Sequence, residues 1–436
     1  MKTLSKLALA AVLATGASSL ALVAPVQAKD KKEEAQGSSF KLSKPVQAAA
    51  FNAQTAIKAH DFATAEPLVA QIETIGTTDD DKYIAAALRY DLENNKLAAQ
   101  QQANPNAPID QTVLAKPLDA LIAAKNTPAA DRGKYLFARG KLAANSGQYP
   151  VAVQYYTQAK QAGYSSPDFA LELAQLKVRG GDIQGGLTDL DAAMTAQQQG
   201  GTKPPEEYYR YAIATANKAN QAPITLAWMK KYVAAYPTQK VWRDVILQYA
   251  FAQNSPIKPD KLQTVDLFRL MRASGSLSDQ AIYEEYGYTV NNLGNPYEAQ
   301  AVLKEGRASG KIPATSKLTT DTLGQAVVAI RNDSLPKSEA QAKAAKDGKI
   351  SAQTADAYLG QGNYAKAVEL YRAALSKGGV NADEVNTHLG IALAYSGDKA
   401  GATTAFNAVT SQPRAGIASL WTTWLQSGPT AGAAAA

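Results

Sequence analysis

The sequence predicts an all-α protein, an α-solenoid of stacked antiparallel helix pairs. One observation is that the segment GQYPVAVQYYTQA, which begins at Gly147, reappears in kind as GNYAKAVELYRAA, which begins at Gly362. Another is that this pattern echoes through the chain at a spacing of about 34 residues, the length of a helix–turn–helix repeat. No segment alternates apolar and polar residues over enough positions to favour a strand.

Six turn residues serve as anchors of the predicted repeats: His60, Gly147, Gly181, Gly294, Gly362 and Gly397. Seven residues before the anchors stand small residues: Ala53, Gly140, Ala174, Gly287, Ala355 and Gly390. Five residues after the anchors stand small residues again: Ala65, Ala152, Gly186, Ala299, Ala367 and Ala402. Nine residues after the anchors stand bulky residues: Val69, Tyr156, Leu190, Leu303, Tyr371 and Phe406. We therefore expect each helix pair to cross closely at the small residues, with the bulky side chain filling the space beside them.

This pattern resembles the tetratricopeptide repeat (TPR) family, whose unit of about 34 residues has small residues and an aromatic residue at fixed positions. Ala159, Ala193 and Ala374 fit a further small position of that unit. The Trp that the family carries early in its first helix is absent here, and its closing Pro is mostly absent. The resemblance implies a right-handed superhelix with a groove lined by the first helix of each pair.

On that groove the resemblance places four polar residues: Lys141, Asn145, Gln175 and Arg179. We expect them to form a polar, basic strip that could hold the carboxylate of a peptide. The full Lys/Asn clamp for an acidic C-terminus is not reproduced, because Phe137 and Glu172 stand where cationic or amide groups would be needed. An ordinary solvated helix face is the alternative interpretation.

The N-terminal residues are typical of a secretory signal peptide. Lys2 and Lys6 precede an apolar and small stretch over residues 7–24, and Val26-Gln-Ala28 forms a small-x-small cleavage site. We predict cleavage after Ala28 and a location in the periplasm or outside the cell, with no integral membrane span afterwards. An uncleaved membrane anchor is the alternative. The absence of cysteine excludes a lipoprotein anchor and any disulfide.

Charge and composition argue against several classes of function. Cleavage would remove two lysines and lower the formal charge from +7 to +5, without a clustered basic stripe, so nucleic-acid binding is not expected. His60 and His388 are the two histidines, far apart in sequence, so a His-based triad or a multi-His metal site is not expected. We expect no cofactor and no enzymatic activity.

We divide the chain into seven segments: a signal peptide at 1–28, a flexible linker at 29–44, N-terminal TPR-like repeats at 45–200, divergent Tyr/Trp-rich helical repeats at 201–280, C-terminal TPR repeats at 281–412, a capping helix at 413–427 and a disordered tail at 428–436. The aromatic residues between Tyr208 and Tyr249 predict core packing of a divergent repeat. An aromatic-lined groove for a peptide or glycan is the alternative. The apolar stripe of the last helix predicts a cap on the last repeat, with a docking surface as the alternative.

The leading functional hypothesis is a non-enzymatic periplasmic scaffold or adaptor that binds protein or peptide segments in cell-envelope assembly. A glycan- or peptidoglycan-associated binding factor is second, on the basis of the Tyr/Trp-rich segment. An enzyme is third. The sequence names neither the partner nor the oligomeric state.

Overall fold

The structure, a computed structural model, describes residues 40–427, and the described part of the chain is helical without any strand. The predicted signal peptide, most of the predicted linker and the predicted tail therefore lie outside the described residues. The described residues divide into two compact units, with the boundary between Gly200 and Gly201.

The first unit consists of consecutive helices joined mostly by short turns. They are α1 (Lys44–Lys58), α2 (Phe62–Ile75), α3 (Asp79–Ala103), a 3-10 turn (Gln111–Leu114), α4 (Ala115–Ala123), α5 (Ala129–Asn145), α6 (Tyr149–Gln161), α7 (Phe169–Arg179) and α8 (Ile183–Gln199). α1 packs on α2, α3 on α4, α5 on α6 and α7 on α8. Within this unit α2 also packs on α3, α4 on α5 and α6 on α7, so neighbouring pairs contact each other as in a helical-repeat stack.

The second unit begins with α9 and contains thirteen helices in its described part. They are α9 (Glu206–Lys218), α10 (Ala222–Ala235), α11 (Gln239–Ile246), α12 (Lys261–Ala273), α13 (Gln280–Asn292), α14 (Pro296–Ala308), α15 (Lys317–Asn332), α16 (Leu335–Ala344), α17 (Lys349–Gln361), α18 (Tyr364–Lys377), α19 (Ala382–Tyr395), α20 (Lys399–Asn407) and α21 (Arg414–Ser427). A π-turn (Leu247–Phe251) follows α11.

The last helix does more than cap the last repeat. α21 packs on α19 and α20, as a capping helix would, and it also packs on α10 and α12 near the start of the same unit. Ile417, Leu420 and Trp421 are fully buried in these contacts. The second unit therefore folds back on its own first helices, a closure that a sequence of local repeats does not specify.

The six anchors adopt the left-handed backbone conformation that the repeat pattern requires. The φ angle is 57° at His60 and between 74° and 95° at the five anchor glycines. Glycine reaches this conformation without the steric cost that a Cβ atom imposes, which explains its dominance at the turn.

The small and bulky positions meet as predicted. A Cβ atom built on Gly140 would lie 2.6 Å from the ring of Tyr156, and one on Gly390 would lie 2.5 Å from the ring of Phe406. The small residues after the anchors are fully buried at Ala65, Ala152, Ala299, Ala367 and Ala402. The helix-pair crossings inferred from the sequence are confirmed, and with them a TPR-like helical-repeat fold.

The structure also contains a pair that the pattern did not identify. Asn220 has a φ of 56° at the turn between α9 and α10, and Thr225 and Met229 are fully buried five and nine residues later. Seven residues before Asn220 stands Ile213. This bulky residue breaks the rule of small residues, so the repeat escaped detection.

Overpacking one crossing should destabilise the protein. Ala367 is fully buried on α18, so we expect Ala367→Leu to lower the free energy of unfolding by about 1–3 kcal/mol. The matched change Ala234→Leu, at an exposed position of α10, should have little effect. Urea denaturation followed by circular dichroism measures both, and equal midpoints for the two variants would contradict the assigned crossing.

Candidate binding surfaces and a buried charge network

The predicted strip is only partly free to bind a partner. Lys141 of α5 lies with its Nζ 3.5 Å from the Glu172 carboxylate of α7 and 4.8 Å from the centre of the Phe137 ring. Glu172 also accepts a hydrogen bond from the Tyr156 hydroxyl at 2.7 Å. A partner's carboxylate would therefore compete with Glu172 for the Lys141 cation.

The other three strip residues differ in how available they are. Asn145 donates its side-chain amide to the Gln111 side-chain oxygen at 3.3 Å. Gln175 is half-buried, and Arg179 is exposed at the end of α7, with no carboxylate of the described residues within 4.0 Å. Arg179 is therefore the strip cation that can receive an external anion with the least rearrangement.

A groove of about 410 Å³ lies among α2, α3 and α4. Arg89 lines this groove and donates hydrogen bonds to both oxygens of Glu73, at 3.0 and 2.9 Å, and to Glu66. The hydrogen bonds that Arg89 donates to Glu73 raise the pKa of Arg89. Val113, with 44% of its surface exposed, and Lys116 also line the groove. A groove lined by both charged and apolar side chains suits a partner segment that presents both polar and apolar groups.

A second groove, of about 400 Å³, lies between α4 and α6. It is lined by Asp119, Val151 and Tyr155, among others. Arg139 donates to Asp119 at 2.8 Å and lies 5.1 Å from the centre of the Tyr155 ring. The sequence did not predict either groove. The TPR resemblance implies binding on the first helix of each pair, whereas α2, α4 and α6 are second helices. The sequence features that could have indicated these grooves are the isolated apolar residues Val113 and Val151.

The Tyr/Trp-rich segment forms core rather than a groove. Six of its eight rings are buried: Tyr208, Tyr209, Trp228, Tyr232, Trp242 and Tyr249. Tyr236 is half-buried and donates its hydroxyl to the Pro204 carbonyl at 2.7 Å. The buried rings are not accessible for stacking on a ligand, so the packing interpretation accounts for them.

The second unit contains a buried charge network that the sequence did not reveal. Asp266 and Arg269 of α12 are 0% and 4% exposed. Arg269 donates to both oxygens of Glu298 from α14, at 2.8 and 2.7 Å, and to Asp266 at 3.2 Å. Burial alone would raise the pKa of Glu298, but the Arg269 guanidinium holds it below its usual value. The network therefore holds its charges in the ionised state.

His388 extends this network to two more helices. Its Nδ1 lies 2.8 Å from Asp356 of α17, and its Nε2 lies 3.1 Å from Asp266. Burial lowers the pKa of His388, but the two carboxylates outweigh it and raise the pKa to about 9. Arg414 of α21 also forms an ion pair with Asp266. The network thus joins α12, α14, α17, α19 and α21, including the helix that closes the unit.

Apart from Asp356, which is partly exposed, the charged residues of this network are no more than 4% exposed, and they pair with one another across five helices. Among residues 40–427 no group of three His, Cys, Asp or Glu residues is arranged to hold a metal ion. In the same range no helix has both the length and the apolar character that crossing a membrane requires.

Comparison with known proteins finds remote similarities to solved structures. No family model matches the chain, and no curated protein matches it. The pentatricopeptide repeat protein PPR10 from maize is similar over 86% of this chain and 60% of its own, with 13% identity and a TM-score of 0.29. This chain thus spans less than two thirds of PPR10.

Two further solved structures resemble it. One is the APC/C hetero-tetramer Cut9-Hcn1, at 12% identity, 87% and 96% coverage of the two chains and a TM-score of 0.18. The other is the apo form of RapI, at 12% identity, 77% and 97% coverage and a TM-score of 0.16. Similarity this low does not bear on function or partner. The helix pairs, the left-handed turns and the close crossings of the structure themselves define a TPR-like helical-repeat protein.

Proposed function

We propose that this chain is a non-enzymatic periplasmic scaffold that binds protein or peptide segments during cell-envelope assembly. The observation that carries the proposal is the stack of helix pairs, which in the first unit leaves two open grooves of about 400 Å³ and a partly charged strip. Such stacks present long surfaces on which a partner can lie. The predicted export signal supports the envelope as the place of action.

Photo-crosslinking in the cells that export the protein tests this function. A benzoylphenylalanine would replace Val113, Val151 or Gln175, which line the two grooves and the strip, or Ala214, an exposed residue of α9 that serves as control. We expect discrete protein adducts from at least one of the first three positions and none from Ala214. Adducts that disappear after muramidase treatment would instead favour the glycan-associated alternative.

The strip makes a sharper prediction within the same experiment. Lys141→Ala combined with Arg179→Ala should reduce the adduct formed at Gln175, and more at low ionic strength, because exposed charges are screened over about 8 Å at physiological salt. The variant should unfold like the wild type, since partly exposed ion pairs contribute about 0–1 kcal/mol. An unchanged adduct yield would indicate that the partner binds in the grooves rather than on the strip.

A further inference from the structure

Two consecutive helices of the second unit, α15 and α16, do not pack against each other as a pair. α15 packs on α13 and α14, whereas α16 packs on α17, and α17 packs directly on α14. Only Asp333 and Ser334 separate α15 from α16, yet the two helices do not pack along each other. The tightly linked pairs α13/α14, α17/α18 and α19/α20 do pack in this way. α15 therefore lacks the helix that the second position of its pair would supply.

The C-terminal half of α15 presents an exposed patch that is largely apolar. The buried residues of α15 are Thr319, Thr322 and Ala326. Away from them, Gly324, Val327, Val328 and Arg331 follow one another at helical spacing, with 49% of Val327 and 47% of Val328 exposed. We call these four residues the α15 face.

Gly324 distinguishes this face from an ordinary exposed helix surface. A Cβ atom built on Gly324 meets nothing within 4 Å, whereas the same construction on the helical Gly140 and Gly390 collides with a ring of the partner helix. Glycine weakens a helix relative to alanine, and at those two positions close packing offsets the loss. No contact within the described residues offsets it at Gly324, so this glycine leaves room for another helix to approach closely at this point.

The charge of the stretch of chain that contains the α15 face limits the chemistry of that neighbour. Between residues 311 and 349, five cations have no carboxylate of the described chain within 4.0 Å: Lys311, Arg331, Lys337, Lys343 and Lys346. The carboxylates of the same stretch already have partners, since Asp321 pairs with Lys317, Asp347 with Lys349 and Glu339 with Lys366. Asp333 accepts from the Tyr297 hydroxyl. The uncompensated charge is positive.

We propose that the α15 face docks an acidic amphipathic helix of a partner protein, which occupies the position that α16 leaves empty. The helix crosses α15 at Gly324, where its own small residue allows close approach. Its apolar stripe covers Val327 and Val328, and a carboxylate meets Arg331. This inference rests on the proposed scaffold function and names the chemistry of one partner.

A designed peptide tests the proposal on the full mature chain. The probe is a fluorescein-labelled peptide with the 16-residue length of α15, built from Leu, Ala and Glu with Ala at the centre of its apolar stripe. In the matched peptide Lys replaces every Glu. Fluorescence anisotropy should show the acidic peptide binding at least about tenfold more tightly than the basic one.

Two substitutions at one position separate binding from folding. Gly324→Ala should raise the melting temperature, because alanine favours the helix, while its methyl group weakens peptide binding. Gly324→Leu should weaken binding by about tenfold or more. The control Ala214→Leu, at an exposed position of α9, should leave the affinity within about twofold.

Peptide affinity that is equal in the wild type and in Gly324→Leu overturns the proposal. Groove adducts from Val113 or Val151 that persist in that case leave the scaffold function standing, so the two failures are distinguishable. Sedimentation velocity supplies the other decisive outcome. A wild-type dimer that Gly324→Leu converts to a monomer also overturns the partner helix and assigns the α15 face to a second copy of the chain.

Discussion

Replacing Asp266 with alanine is expected to lower the free energy of unfolding by about 3–5 kcal/mol. Asp266 is fully buried, and it is the carboxylate shared by Arg269, His388 and Arg414. Its removal leaves buried cations without adequate compensation, and a buried charge without a partner is far more costly than an exposed one.

Urea denaturation of Asp266→Ala beside Asp321→Ala measures this effect. Asp321 forms an ion pair with Lys317 on the exposed side of α15, so its removal should cost about 0–1 kcal/mol. In Asp266→Leu with Arg414→Met, the loss of one cation should restore part of the stability. Equal unfolding midpoints for the Asp266 and Asp321 variants would show that the network does not stabilise the second unit.

The stability of the second unit should fall as the pH rises through about 9. His388 has an ordinary pKa of 6.5 when exposed, and its two carboxylate partners raise the pKa to about 9 in the folded protein. A pKa raised on folding contributes stability that is fully present below about pH 6.5 and is lost as pH rises through the folded value. The shift corresponds to a loss on the order of 3 kcal/mol.

The groups that face His388 define the control for this measurement. Burial acts to raise the pKa values of Asp266 and Asp356, but His388 lowers them, so both carboxyls stay ionised between about pH 6 and 10. His388→Gln should therefore be less stable than the wild type at pH 6 and should lose less stability on the way to pH 10. Parallel pH profiles for the two proteins would contradict a charged His388 in the native state.

The sequence alone revealed much of the repeat. The anchor glycines, the small residues at the crossings and the bulky residues beside them interact within one helix pair, so their spacing along the chain reflects their contacts in space. For that reason the contacts of Gly140 with Tyr156 and of Gly390 with Phe406 were predictable. The helix pair at Asn220 was not predicted, because Ile213 and Thr225 occupy the two positions at which the other pairs have Ala or Gly.

The candidate site was less predictable. The strip residues Lys141, Asn145, Gln175 and Arg179 were chosen from a resemblance, and only the structure showed that Glu172 already compensates Lys141. The two grooves depend on how second helices of neighbouring pairs lie beside one another. That arrangement depends on packing between pairs and leaves no fixed spacing in the sequence.

The sequence by itself determined the helix pairs, because a crossing between adjacent helices depends on a few residues at fixed separations. Only the tertiary structure decided which distant elements meet. Arg414 lies 148 residues after Asp266, and no periodicity links the two, yet their ion pair joins the last helix to α12. The open side of α15 was decided in the same way, because α16 packs on α17 rather than on its neighbour in sequence. Burial and charge pairing act through space, so these features appear only once the chain is folded.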